Sequence, residues 1–282
     1  MKKVLSKISK TGAVVLGATI LVTLGINASD SVQSLSRPLL GSLITNIAKN
    51  DCPAGMVYVT FENGGFCVDI FEAAAGKSCP NQTPRNQSES RTNIESGGCA
   101  PVSAPDLLPW TNLSLNQAEE ACRKAGKRLP SNKEWFAAAL GTPDRNVGWG
   151  RSDCQVSSNW DSQPGKTGSG ENCVSSAGAY DMIGNVWEWA NDIAIDNVYD
   201  GRALPKEGFV TEVDKGGVPT KTNPAKPDDN FNQDYFNIYS NGARGFLRGG
   251  YWNNESAAGK FAVNLLFSPS NVGIGVGFRC VK

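Results

Sequence analysis

The sequence predicts an α+β domain stapled by disulfides, with two short helices, small antiparallel sheets and long loops. Three observations carry that expectation: two helix-capping patterns, a strand–turn–strand pattern, and an even set of cysteines. Ser114 and Gln117 make a capping box ahead of Leu115, Ala118, Ala121, Cys122 and Ala125, which share one side, and Gly126 stops the helix. Ser131 and Glu134 make a second box, with a helix through Trp135 to Leu140 ending at Gly141. Residues 56–61 and 66–71 read as two strands around a Gly64-Gly65 turn. All eight cysteines lie beyond residue 50. Their order suggests Cys52–Cys67, Cys79–Cys99 and Cys154–Cys173 as local loops, and Cys122–Cys280 as a long-range staple.

The remaining chain divides readily. Lys2, Lys3, Lys7 and Lys10 precede an apolar run from Gly12 to Ile26, with small Ala28 after it. Residues 1–28 therefore read as an export signal, either cleaved or kept as a membrane anchor, and 29–50 as a polar tether. The domain spans 51–282. Within it, 77–109 and 141–175 read as loops, 192–245 as an insertion with few periodic apolar positions, and the last stretch as short strand-like pieces between turns. Export agrees with disulfides and places the protein at the cell surface or in the medium.

Composition removes several functions. The chain carries 27 basic and 27 acidic side chains, so nothing points to nucleic acid, and contact with a membrane is expected only through an uncleaved N-terminal segment. There is no histidine. Serine triads, Cys–His dyads and histidine metal sites are thereby excluded.

Four segments, in order, resemble the formylglycine-generating-enzyme (sulfatase-modifying factor) family: Gly55-Met-Val-Tyr-Val59, Lys127-Arg-Leu-Pro-Ser-Asn-Lys-Glu-Trp135, Gly178-Ala-Tyr-Asp-Met-Ile-Gly-Asn-Val-Trp-Glu-Trp189, and Leu247-Arg-Gly-Gly-Tyr-Trp252 with Gly277-Phe-Arg279. The resemblance implies the C-type-lectin-like fold of that family. Arg128, Glu134 and Arg248, set among aromatics, are expected to be buried, paired charges. Family members similar to this chain carry calcium in the third segment, and Asp181, Gly184, Val186 and Glu188 match in type, so a structural Ca²⁺ is expected there. The family's oxidases use a copper-binding cysteine pair after the Arg-Gly-Gly motif. Tyr251 to Arg279 contains no cysteine, so no copper site and no enzyme activity of the family type are expected.

The segment 248–280 resembles the variable region of proteins diversified by retroelements, in which template adenines are miscopied. Trp252, Phe261, Ala262, Asn264, Leu265, Pro269, Ser270, Asn271, Gly277 and Phe278 fit its framework. Tyr251, Ala257, Leu266, Phe267, Gly273, Ile274 and Gly275 are all reachable from an asparagine codon with its adenines randomised; Glu255 and Lys260 are not. These seven, with Asn253 and Asn254, are the candidate contacts for a protein or cell-surface ligand. An ordinary core strand at Leu265-Leu266-Phe267 is the competing reading of that stretch, and a non-diversified lectin-like adhesive module the competing function.

Overall fold

The first hairpin forms because apolar side chains alternate on both sides of a tight turn. Strand β1 (Met56–Phe61) pairs antiparallel with β2 (Gly64–Asp69), from Met56 opposite Asp69 to Phe61 opposite Gly64. The computed structural model describes residues 51–282, of which Cys52–Lys282 form one unit. The expected export signal (1–28) and tether (29–50) lie outside the described residues. The last residues return to this hairpin: Cys67 and Lys282 exchange main-chain hydrogen bonds at 2.9 and 2.8 Å, and Arg128 and Val281 do the same on the other side. A two-stranded pair, β3 (Ala74–Ala75) and β4 (Pro101–Val102), follows.

Both expected helices are present with their caps. Helices α2 (Leu115–Lys124) and α3 (Asn132–Ala139) each open on a complete capping box, at Ser114/Gln117 and Ser131/Glu134. Gly126, at φ +67°, takes the left-handed position that ends α2. A third helix, α1 (Gln87–Glu95), lies in the stretch read as loop. Asn86 caps it, and its buried residues are Ser90 and Asn93, so no apolar periodicity announces it.

The sheets differ from the small antiparallel ones expected. Most strands belong to one mixed nine-stranded sheet: β5 (Trp187–Ile195), β6 (Val198–Tyr199), β7 (Arg202–Ala203), β8 (Gly208–Val213), β9 (Pro219–Asn223), β10 (Tyr235–Ile238), β11 (Ala243–Arg248), β12 (Val263–Leu265) and β13 (Val276–Gly277). The order is β7-β6-β5-β11-β12-β10-β8-β9, with β13 beside β5; β10–β12 and β13–β5 are parallel pairs. Residues 192–245, read as an insertion, supply β6 to β10 and parts of β5 and β11. Each strand there is short and buries few apolar side chains, which hides the period.

Consecutive residues of β11 point to opposite faces. Phe246 packs with Val210, Phe236, Val263 and Leu265, whereas Leu247 packs with Trp110, Leu115, Ala118, Trp189 and Phe278. A further cluster joins Trp135 and Ala138 of α3 to Val59, Val68 and Met182. All four disulfides form as expected: Cys52–Cys67, Cys79–Cys99, Cys122–Cys280 and Cys154–Cys173.

One buried ion pair ties these parts together. Arg279 donates from Nε and Nη2 to the Glu188 carboxylate at 2.6–2.9 Å, from Nη1 to the Asp69 carbonyl at 3.0 Å, and from Nη2 to the Tyr180 carbonyl at 2.8 Å. Trp135 Nε1 donates to Glu188 Oε2 at 2.6 Å. Both charged side chains are buried. The expectation for Arg128 needs correction: it pairs with Glu134, but its side chain is 51% exposed, because the pair sits at the rim of α3. Arg248 is buried, yet its hydrogen bonds go to the carbonyls of Gly217 and Lys260, and its guanidinium lies 4.9 Å from the Trp135 ring centroid.

Candidate functional site

Segment 248–280 leaves the sheet at Arg248 and turns through Gly249 and Gly250, both at positive φ. At Gly249 a Cβ would meet the Met182 carbonyl at 2.7 Å, so only glycine fits this close approach. Tyr251 and Trp252 follow, with ring centroids 5.0 Å apart, edge to face. A 3-10 turn (Glu255–Ala257) leads to buried Ala258, then Ala262 and β12. From 266 to 275 the chain forms a loop, before β13 and the Arg279 knot.

The loop is held by its own main chain. The carbonyls of Phe267, Pro269, Gly273 and Gly275 accept hydrogen bonds from the main-chain N–H groups of Gly245, Leu115, Asn112 and Trp187, at 2.9–3.1 Å. None of these four bonds depends on a side chain of the loop. The Asn264 side-chain oxygen accepts a further bond from Leu266 N at 2.9 Å.

The nine candidate contacts divide by exposure. Asn253, Leu266 and Ile274 are exposed, Ile274 most among the apolar ones at 55%. Gly273 is half-buried, and a side chain there would meet only Val276, at 3.6 Å. Gly275 lies against Tyr251, whose ring a Cβ would approach to 3.0 Å. Tyr251 and Phe267 are half-buried and pack on the main core. Ala257 is half-buried, and Asn254 spends its carbonyl oxygen on Tyr251 N at 2.9 Å.

Lys260, which an asparagine template codon cannot yield, has a framework task. Its ammonium lies 3.3 Å from Asp144, the adjacent Phe261 N donates to Asp234 at 2.7 Å, and its carbonyl accepts from Arg248 at 2.8 Å. Asp144, Asp234 and Arg248 thus form a buried charged base beneath the segment. Neither acid was found from sequence, since each lies in a loop far from the segment and carries no motif. Exposed Glu255 has no comparable contact that explains it.

Burial pushes the Asp234 carboxyl well above the usual carboxylate range, with the Asp144 charge adding to it and Lys260 and Arg248 opposing. Asp144 is raised by burial against the pull of Lys260. Burial lowers Arg248 to about 10, although Asp234 and Asp214 oppose the shift.

The expected calcium ligands come together only in part. Asp181 and Asn185 adopt left-handed backbone, at φ 57° and 53°, and Gly184 at +80° lies where a Cβ would meet the Gln155 carbonyl at 2.2 Å. That curls 181–186 into a tight loop. The Glu188 carboxylate, however, is taken by Arg279 and Trp135, so it does not fit a calcium ion while that pair stands. Asp181 fits better: Oδ2 accepts from Gly168 N at 2.6 Å, and buried Oδ1 has no protein partner. Buried Glu72 joins the cluster through Asn185 Nδ2 at 2.6 Å. Three carboxylates against one guanidinium leave excess negative charge; burial, with Glu188 adding, raises Asp181 to about 7 and, with Asp181 and Glu188 adding, lifts Glu72 well above its ordinary value. Among the described residues no group of three or more His, Cys, Asp or Glu is arranged to hold a metal. Every cysteine is in a disulfide.

A disulfide-stapled α+β domain with a C-terminal loop face is the class these features define. The chain belongs to the family described as the sulfatase-modifying factor enzyme 1-like domain, which matches residues 59–282. That membership agrees with the C-type-lectin-like fold expected from the sequence. The chain is similar to the inactive C-alpha-formylglycine-generating enzyme 2 of Bos taurus, at 35% identity over 96 residues, 29% of this chain and 32% of that protein. It is similar to the formylglycine-generating enzyme of Mus musculus at 29% identity over 100 residues, 30% of this chain and 27% of that protein. The aligned part spans about a third of these relatives' length. Among solved structures it is similar to the Major Tropism Determinant M1 variant, with TM-score 0.45, 23% identity, and 82% and 52% of the two chains covered. Treponema denticola variable protein 1 aligns with TM-score 0.38 and 16% identity, over 82% and 99%.

The charged base has a measurable signature. The fold favours protonated Asp234, so the stability it contributes is fully present below the unfolded carboxylate pKa and is lost as pH rises through the raised folded value. Urea unfolding of the wild type and Asp234→Asn at about pH 5 and about pH 8 should show a wild-type loss at the higher pH that the variant shares only in part. Equal pH slopes in the two proteins would contradict this assignment.

Proposed function

We propose that the protein is an exported, non-catalytic binder of a protein or cell-surface ligand, and that retroelement copying diversifies its C-terminal segment. The observation that carries this reading is the main-chain fastening of the 266–275 loop. Side chains at such a loop can change without loss of the bonds that shape it, as antibody loops do on their sandwich. Exposed Leu266 and Ile274 supply apolar contact area, and Asn253 a polar contact, on one continuous segment. The absence of histidine and the disulfide-bonded state of every cysteine support a non-catalytic role, since the family's oxidative chemistry needs free thiols.

Sequencing of the DNA downstream of the gene tests this directly. A near-copy of codons 248–280 should be present beside a reverse-transcriptase gene. It should differ at adenines of codons such as 266, 273 and 274, and match at 248, 260 and 279. A locus without repeat or reverse transcriptase contradicts diversification and favours a fixed adhesive module.

A structural calcium ion is proposed at Asp181, supported by its unpartnered buried oxygen and the excess negative charge around it. Carbonyls of Gly184 and Val186 would complete the set, without the Glu188 carboxylate. Added calcium should raise the melting temperature of the wild type, EDTA should reverse the rise, and Asp181→Asn should abolish it. A wild-type melting temperature indifferent to both would show that protons balance the cluster instead.

A further inference from the structure

Beside segment 248–280 lies a trough lined almost wholly by residues outside that segment. Two depressions of about 270 and about 670 Å³ share Thr83 and Leu108 as walls. Of the eleven large apolar side chains exposed among the described residues, four line this trough: Val102, Leu107, Leu108 and Ile274. Scattered apolar side chains on a surface are ordinary, but a contiguous group in a concavity marks a contact.

Charge selects the occupant. Lys77 and Arg85 are the charged residues lining the two depressions, one in each, and no acidic side chain lines either. Neither cation enters an ion pair among the described residues. In a chain of 27 basic and 27 acidic side chains, this is a local bias. Two chambers joined at one wall, each apolar with a cation, suit a chain segment that places an apolar side chain in each and a carboxylate near each cation.

We propose that the trough binds an extended segment of a partner protein in which apolar and acidic residues take turns at every second position, so that both kinds face the trough. Ile274 closes the smaller chamber, so the trough continues into the variable face. The proposal rests on the binding reading only for that continuity, because the other lining residues lie outside 248–280. Fixed residues then anchor a feature common to many partners, while the variable side chains select among them.

Two fluorescein-labelled peptides, Leu-Ser-Asp-Ser-Leu-Ser-Asp and Leu-Ser-Lys-Ser-Leu-Ser-Lys, added to the whole protein and followed by fluorescence anisotropy, test this. The acidic peptide should bind at least about tenfold more tightly than its lysine counterpart. The double variant Lys77→Gln/Arg85→Gln should bring the two within about twofold. Leu108→Glu should abolish binding of the acidic peptide with an unchanged near-ultraviolet circular dichroism spectrum. Equal affinities in the wild type, or an acidic-peptide affinity unmoved by the double variant, overturns the trough and leaves the variable-face reading standing. A locus without a template repeat would leave the trough standing in turn.

Discussion

The buried pair of Arg279 with Glu188 is the constraint on which the rest of the structure hangs. Placing two charges at essentially zero exposure is costly unless their remaining hydrogen-bonding capacity is met. Here the Trp135 indole and the carbonyls of Asp69 and Tyr180 meet it. The knot therefore joins helix α3, strand β5, the first hairpin, the 178–186 loop and the C-terminal segment. Removing one partner of such a pair costs about 3–5 kcal/mol, because the other charge stays buried. Cys280, the next residue, is clamped to α2 through Cys122.

Trp135 stands under both ends of segment 248–280. Its indole N–H serves Glu188 and hence Arg279, while its ring faces the guanidinium of Arg248. A charge over an aromatic face in a dry setting adds about 2 kcal/mol or more. Both ends of 248–280 are thus fixed on one side chain, and the middle is fixed by Lys260 on Asp144 and by main-chain bonds of the 266–275 loop. Side-chain freedom is left where no fastening uses the side chain itself, at Asn253, Leu266, Gly273 and Ile274. Tyr251 and Phe267 are less free, since both pack on the core.

Much of this was legible in the sequence. The two capping boxes and the cysteine pairing are local or countable signals, and the structure reproduces them. Helix α1 escaped because it buries Ser90 and Asn93 rather than apolar residues, although Asn86 ahead of Glu89 was a cap signal. Strands β6 and β7 escaped because two residues carry no period. Parallel pairing of β10 with β12 joins segments 25 or more positions apart, which no local pattern reveals. Glu188 and Arg279 both lie in segments that carry the family resemblance, but residues 91 positions apart give no local sign of their pairing. Asp144 and Asp234 carried no signal at all.

Main-chain fastening builds tolerance to substitution into particular positions of 248–280, while others are locked. Saturation libraries at 253, 266, 273 and 274, and at 248, 260 and 279, sorted by protease resistance of the displayed protein, test it most directly. Most members of the first library should unfold within about 0.5 kcal/mol of the parent, while most of the second should be lost. Equal losses in the two libraries would contradict it.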